Sequence, residues 1–167
     1  MSVSNFPERI PKLGGSHSIT YFWRYKPEFY RLVGSRCEKC GSTYFPRRMI
    51  CPKCHSTEMR DTELKREGTI ISIQMGRGTL MGFEDTRPQF FCIVKLDDGA
   101  YIQGELIGLP LGYAKQELLK PSGTMAKELC GRRVKVVIRR LRRLDNGYPI
   151  YGYKFMLFEP GDPLPRR

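Results

Sequence analysis

Histidine is scarce in this chain: His17 and His55 are the only two, and neither sits in a recognisable nucleophile arrangement. A G-x-S-x-G elbow and a phosphate-binding P-loop are missing, and all that stands for G-x-G-x-x-G is the fragment Gly76–Arg77–Gly78. Without a general base near a nucleophile, the chain is not expected to catalyse a reaction on its own. Long apolar runs are missing as well. No stretch approaches the roughly eighteen consecutive apolar residues of a membrane span. The opening MSVSNFPERIPKLGG carries no apolar signal core, so residues 1–15 read as a flexible leader. Acidic residues are in short supply: 17 Asp and Glu face 29 Lys and Arg, a net charge of +12. That excess points to an anionic partner, or otherwise to a solvated basic surface or a subunit that docks on an acidic protein.

The chain is not short of core material. Hydrophobic residues make up 40% and aromatics 11%, enough to argue against disorder and for a packed core. The length of 167 residues suits one medium domain or two small ones.

Six cysteines are present, and four form two C-x-x-C pairs in CEKCGSTYFPRRMICPKC. In each pair the i, i+3 spacing lets one tight turn aim two thiolates at the same ion. Cys37, Cys40, Cys51 and Cys54 therefore match a tetrahedral four-sulfur site, with Gly41 giving the backbone room to turn back. Four thiolates fill the shell and leave no position for water or substrate, so the site is read as structural zinc. Tetrahedral sulfur also suits a rubredoxin-like iron, and disulfides rank behind both. His55 has four better ligands beside it and reads as a surface residue. A knot of about 25 residues buries too little to fold alone, so the metal supplies its folding energy. Thiolate ligands of this kind suit a reducing cytosol, and a cytoplasmic location is expected. Of the remaining two, Cys92 lies in an apolar strand and reads as a small buried hydrophobe, while Cys130 has no general base nearby.

Periodicity organises the rest. Ile19, Phe22 and Trp23 share one helical face, and Pro27 ends or restarts that helix, giving a helical segment over 16–34. The ribbon is expected over 35–64, with STYFPRRMI as a short hairpin and STEMRDTEL as the departing strand. From Lys65 the pattern alternates. Thr69, Ile71, Ile73 and Met75 fall on one side, and QFFCIVKL and AYIQGELI flank an Asp97-Asp98-Gly99 turn. RRVKVVIRR turns Val134, Val136 and Ile138 inward, and PIYGYKFML puts Tyr151, Tyr153, Phe155 and Leu157 on one face. These five strands, with an irregular insertion between the third and fourth, predict a five-stranded OB-fold barrel over 65–160 and a tail at 161–167. A β-sandwich is the competing arrangement. The fold class is thus mainly β with small α.

Two stretches could hold an anion. Arg139, Arg140, Arg142 and Arg143 flank Leu141, and because a strand alternates faces, some must lie along a rim or in the following loop. Arg77, Phe83 and Arg87 interleave charge and aromatic surface in the glycine-rich connection between the first two barrel strands. Tyr21, Phe22, Trp23 and Tyr25 form an aromatic cluster that could anchor another protein.

Several of these stretches together carry a family resemblance. FWRYKPEFYRLVGSRCEKCGSTYFPRRMICPKC, LKREGTIIS, GFEDTRPQFFCIVKLDDGAYIQGELIG and VKVVIRR with YGYKF resemble the zinc-ribbon plus OB-fold family of acyl-CoA-associated accessory proteins, over about residues 20–158. The resemblance implies helices, a rubredoxin-like ribbon and an OB barrel. It implies a scaffold for thiolase-superfamily enzymes, in archaea acetoacetyl-CoA thiolase and HMG-CoA synthase at the entry to the mevalonate pathway. Coenzyme A or an acyl-CoA would be a shared ligand. Its phosphates, about four negative charges, suit arginines and aromatics on a barrel. The rival class is an RNA- or DNA-binding ribbon and OB barrel, which the positive charge also fits.

Overall fold

The described chain opens on a helical turn ahead of a proline. The computed structural model describes residues 24–76, 89–109, 129–143 and 149–158, apart from the side chains of Arg142 and Arg143. A helical turn from Arg24 passes into a π-helical turn at Pro27–Arg31. Pro27 sits at its start, where a missing N–H goes unnoticed, so this proline restarts the helix. Leu32 closes the turn in the left-handed region (φ 54°), donates its N–H to the Pro27 carbonyl and buries its side chain completely.

The first sheet contains β1 (Val33–Cys37), β2 (Thr43–Tyr44) and β3 (Met59–Glu63) in the order β2-β1-β3. The departing strand over STEMRDTEL is β3, running antiparallel to β1 from Val33↔Glu63 to Cys37↔Met59. The hairpin expected inside STYFPRRMI is not there. Only Thr43 and Tyr44 are strand, and they pair back across the first cysteine turn onto Arg36 and Ser35. Pro46 has no N–H to give a ladder, and the chain after it is engaged elsewhere. Arg47 reaches Glu28 (3.0 Å) and Asp61 (3.1 Å), and the Arg48 N–H donates to Ser35 Oγ (3.0 Å).

Five further strands close a barrel: β4 (Glu67–Gly76), β5 (Gln89–Leu96), β6 (Tyr101–Ile107), β7 (Arg133–Arg143) and β8 (Pro149–Leu157), ordered β4-β5-β6-β8-β7. All neighbours are antiparallel except β6 and β8, which run parallel where Leu106 meets Phe155. This is OB-fold topology. Asp97-Asp98-Gly99 makes the β5–β6 turn, with Gly99 at φ 85°, a conformation that favours glycine. Ile70, Ile73, Val94, Ile102, Val134 and Phe155 meet inside, and Leu32 and Leu64 from the ribbon side join the same cluster. Burying a side chain the size of Phe155 contributes about 1.5–3 kcal/mol.

Three face assignments need correction or refinement. In β4 the register slips between Ile70 and Ser72, so Ile70, Ile73 and Met75 are buried while Ile71 is 50% exposed. A bulge adds one residue and flips the alternation behind it, which periodicity alone cannot foresee. In β7, Val134 and Val136 are buried but Ile138 is only half-buried, nearer the barrel's end. In β8, Phe155 is fully buried and Tyr153 half-buried, but Tyr151 lies exposed at the same end, opposite Arg140.

The opposite face of β8 is not simply solvent-exposed. Lys154 and Glu105 form an ion pair at 2.6 Å with side chains only 5% and 11% exposed. Ribbon and barrel also touch through rings. Phe45 packs edge-on against Tyr153, with centroids 5.7 Å apart, and the Tyr153 hydroxyl donates to the Gln103 carbonyl.

Candidate metal centre and docking faces

The two cysteine turns have the same local structure. In the first, the Cys37 N–H donates to the Ser42 carbonyl and the Gly41 N–H to the Cys37 carbonyl, each at 2.9 Å. In the second, Cys51 N–H donates to Ser56 and His55 N–H to Cys51, again at 2.9 Å. Gly41 (φ 70°) and His55 (φ 56°) occupy equivalent left-handed positions. His55 is exposed, and its place is set by this backbone turn.

The four sulfurs converge. All lie within 4.8 Å of one another, with Cys37–Cys54 and Cys40–Cys51 at 3.5 Å. A tetrahedron with 2.3 Å metal–sulfur bonds has edges of about 3.8 Å, so the donor set fits a four-coordinate zinc. Cys37 and Cys51 are fully buried. Burial raises the Cys51 thiol, but hydrogen bonds from the Tyr44 hydroxyl and the Cys54 and Lys53 amides outweigh it and bring the thiol down to about 6. For Cys54 the Ser56 amide favours the thiolate, yet burial and the neighbouring sulfurs push the thiol up to about 12. Sulfurs this close need a cation to ionise together.

The other sequence-predicted residues do not gather into one site. Arg139 and Arg140 are exposed on β7, opposite Gly152 and Tyr151. The run does not leave the strand for a loop: β7 continues to Arg143, with Arg142 and Arg143 paired to Ile150 and Pro149, because β8 is long enough to receive it. A second register slip, between Arg140 and Arg142, interrupts the alternation. Tyr25 is exposed on the first helical turn. Arg77, Phe83, Arg87, Tyr21, Phe22 and Trp23 lie outside the described residues.

Two features escaped the sequence reading. Met49 is 88% exposed and Ile50 stands beside it, an apolar pair held outward between the anchored Arg48 and buried Cys51. Their one signal was position, an apolar pair wedged between arginines and a ligand cysteine. The second is a cleft of about 510 Å³ between the ribbon and the β5–β6 hairpin, lined by Tyr44, Arg48, Lys95, Asp98 and Tyr101 among others. Its walls come from residues about 50 positions apart, and no local pattern joins them.

Comparison with known proteins now adds to this geometry. Residues 30–60 match the rubredoxin-like zinc ribbon domain of ChsH2. A DUF35 domain-containing scaffold protein from Methanocaldococcus jannaschii is 34% identical over 139 residues, covering 82% of this chain and 89% of the relative. The chain belongs to the DUF35 family. A second DUF35 scaffold protein, from Pyrococcus furiosus, is 30% identical over 86% of this chain and 95% of its own. The benzoylsuccinyl-CoA thiolase subunit BbsA of Thauera aromatica is 27% identical, covering 74% of each chain. Among solved structures, the Ltp2-ChsH2(DUF35) aldolase aligns with a TM-score of 0.55 at 18% identity, over 85% of this DUF35 chain and 95% of that one, a likeness of fold.

Proposed function

We propose that this DUF35 chain is a non-catalytic scaffold subunit for thiolase-superfamily acyl-CoA enzymes in the cytoplasm. In this reading it bridges acetoacetyl-CoA thiolase and HMG-CoA synthase and contributes surface to their coenzyme A. The observation that carries the reading is the match to DUF35 scaffold proteins along nearly their whole length. The thiolase subunit BbsA points to the class of enzyme.

The geometry supports the same role. Cys37, Cys40, Cys51 and Cys54 would hold zinc with every coordination position filled by sulfur, so the metal supplies folding energy and no reaction centre. The ribbon so formed fixes Met49 and Ile50 outward without further loss of backbone freedom, which suits a docking knob. Basic rims such as Arg139 and Arg140 add attraction to an acidic partner.

Native purification of the tagged chain from its own cell, with identification and quantitation of co-eluting proteins, tests this reading. A thiolase-superfamily enzyme in stoichiometric amount is the expected result. Ribosomal or RNA-processing proteins without any acyl-CoA enzyme would overturn it in favour of nucleic-acid binding.

A further inference from the structure

Many cations on this chain have a carboxylate within reach. Arg31 meets Glu63, Arg47 meets Glu28 and Asp61, Arg133 meets Asp97 and Glu67, and Lys154 meets Glu105. Arg48 and Lys95 make no ion pair among the described residues, and both line the cleft between the ribbon and the β5–β6 hairpin. The Arg48 side chain starts from a fixed point, since its N–H is tied to Ser35 Oγ. Lys95 stands opposite Tyr101 in the β5–β6 ladder, its Nζ 5.9 Å from the ring centroid. Tyr101 nevertheless keeps 55% of its surface exposed. The one carboxylate on the wall, Asp98, already accepts a hydrogen bond from the Lys65 amide.

Two cations against one engaged carboxylate leave the cleft net positive. A guanidinium and an ammonium are phosphate ligands, and an exposed tyrosine offers a face to a planar ring. The cleft's volume of about 510 Å³ lies within the range of roughly 300–1,000 Å³ typical of small-molecule sites. We propose that the ribbon–barrel cleft binds a phosphorylated ligand with a flat ring, of the nucleoside-diphosphate class. Arg48 and Lys95 engage the phosphates and Tyr101 lies against the ring. The site differs from the arginine run on β7 and does not depend on which enzyme docks on the scaffold.

Isothermal titration of the full-length, zinc-loaded chain with ADP, coenzyme A and inorganic pyrophosphate tests this proposal. All three are expected to bind, and Arg48→Ala with Lys95→Ala should weaken each by about 10–100-fold, the loss expected from charge-assisted contacts. Tyr101→Leu should weaken ADP and coenzyme A while leaving pyrophosphate unchanged. Arg31→Ala, outside the cleft and paired with Glu63, should change nothing. Coenzyme A binding at least as tightly as ADP assigns the site to the coenzyme, and binding of ADP and pyrophosphate with coenzyme A excluded assigns it to a free nucleotide. No binding of any probe, or undiminished binding in the Arg48/Lys95 variant, overturns the proposal. Amide shifts in the unsubstituted chain give a readout independent of variant folding. Movement at Gly41 and Gly99 on adding ADP supports the cleft, and movement confined to β7 overturns it.

Discussion

The ribbon and the barrel keep their shapes by different means. Inside the barrel, Ile70, Val94, Leu96, Val134 and Phe155 are almost wholly removed from water, and the strands close into a ring. The ribbon has no comparable interior. Its fully buried side chains include two metal-ligand candidates, Cys37 and Cys51, and Leu32 and Leu64 belong to the barrel's cluster. What remains in the ribbon is a three-stranded sheet, two matched cysteine turns and the ion pairs of Arg47. A small module can therefore present an exposed apolar pair on a rigid loop, provided a metal replaces the core it lacks.

The sharpest way to break this contrast is to remove one ligand. Cys51→Ser should empty the metal site, and with it the binding free energy, of order 10–16 kcal/mol, that structural zinc gives small modules. Metal content per chain should fall to zero while the far-ultraviolet signal of the barrel persists.

The next largest effect concerns the barrel's outer wall. Lys154→Ala leaves the Glu105 carboxylate buried without its partner and should cost about 3–5 kcal/mol in urea unfolding. Replacing both, Lys154→Met with Glu105→Met, should recover most of that loss, since an apolar pair of similar volume needs no compensating charge.

The β4 bulge makes a paired prediction. Ile73→Ala should cost about 2–5 kcal/mol, because the side chain is buried. Ile71→Ala should stay within about 0.5 kcal/mol, as surface substitutions do. Equal costs would mean that the register slip is absent.

The smallest effect is a pH dependence at the β5–β6 turn. The Arg133 guanidinium, by hydrogen bond and by charge, holds the Asp97 carboxyl below its ordinary value of 3.8 despite partial burial. A carboxylate with a depressed folded-state pKa stabilises the fold fully above that ordinary value and loses its contribution as the pH falls through the lower, folded one. Asp97→Asn should therefore lower the urea midpoint slightly at neutral pH and flatten its decline in acid.

The metal site was legible because its determinants are local. A C-x-x-C turn needs four residues, and the two turns are ten residues apart. The barrel was legible because alternation in β5 and β6, and the Asp97-Asp98-Gly99 turn, are also local. What escaped the sequence was set by long-range register. The bulge at Ile70 depends on how β4 meets β5, and the Lys154–Glu105 pair joins residues 49 positions apart on strands that are not chain neighbours. The cleft of Arg48, Lys95 and Tyr101 exists only once the ribbon leans on the hairpin. Phe45 marks that joint, yet in sequence it is merely the aromatic before Pro46.

The central claim, a metal-held ribbon on a self-supporting barrel, is tested most directly by hydrogen exchange on the full-length chain before and after a strong chelator. Strands β1 and β3 should lose protection on chelation while β4, β5, β7 and β8 keep theirs. Simultaneous loss across both sheets, or a ribbon that stays protected without metal, would contradict it.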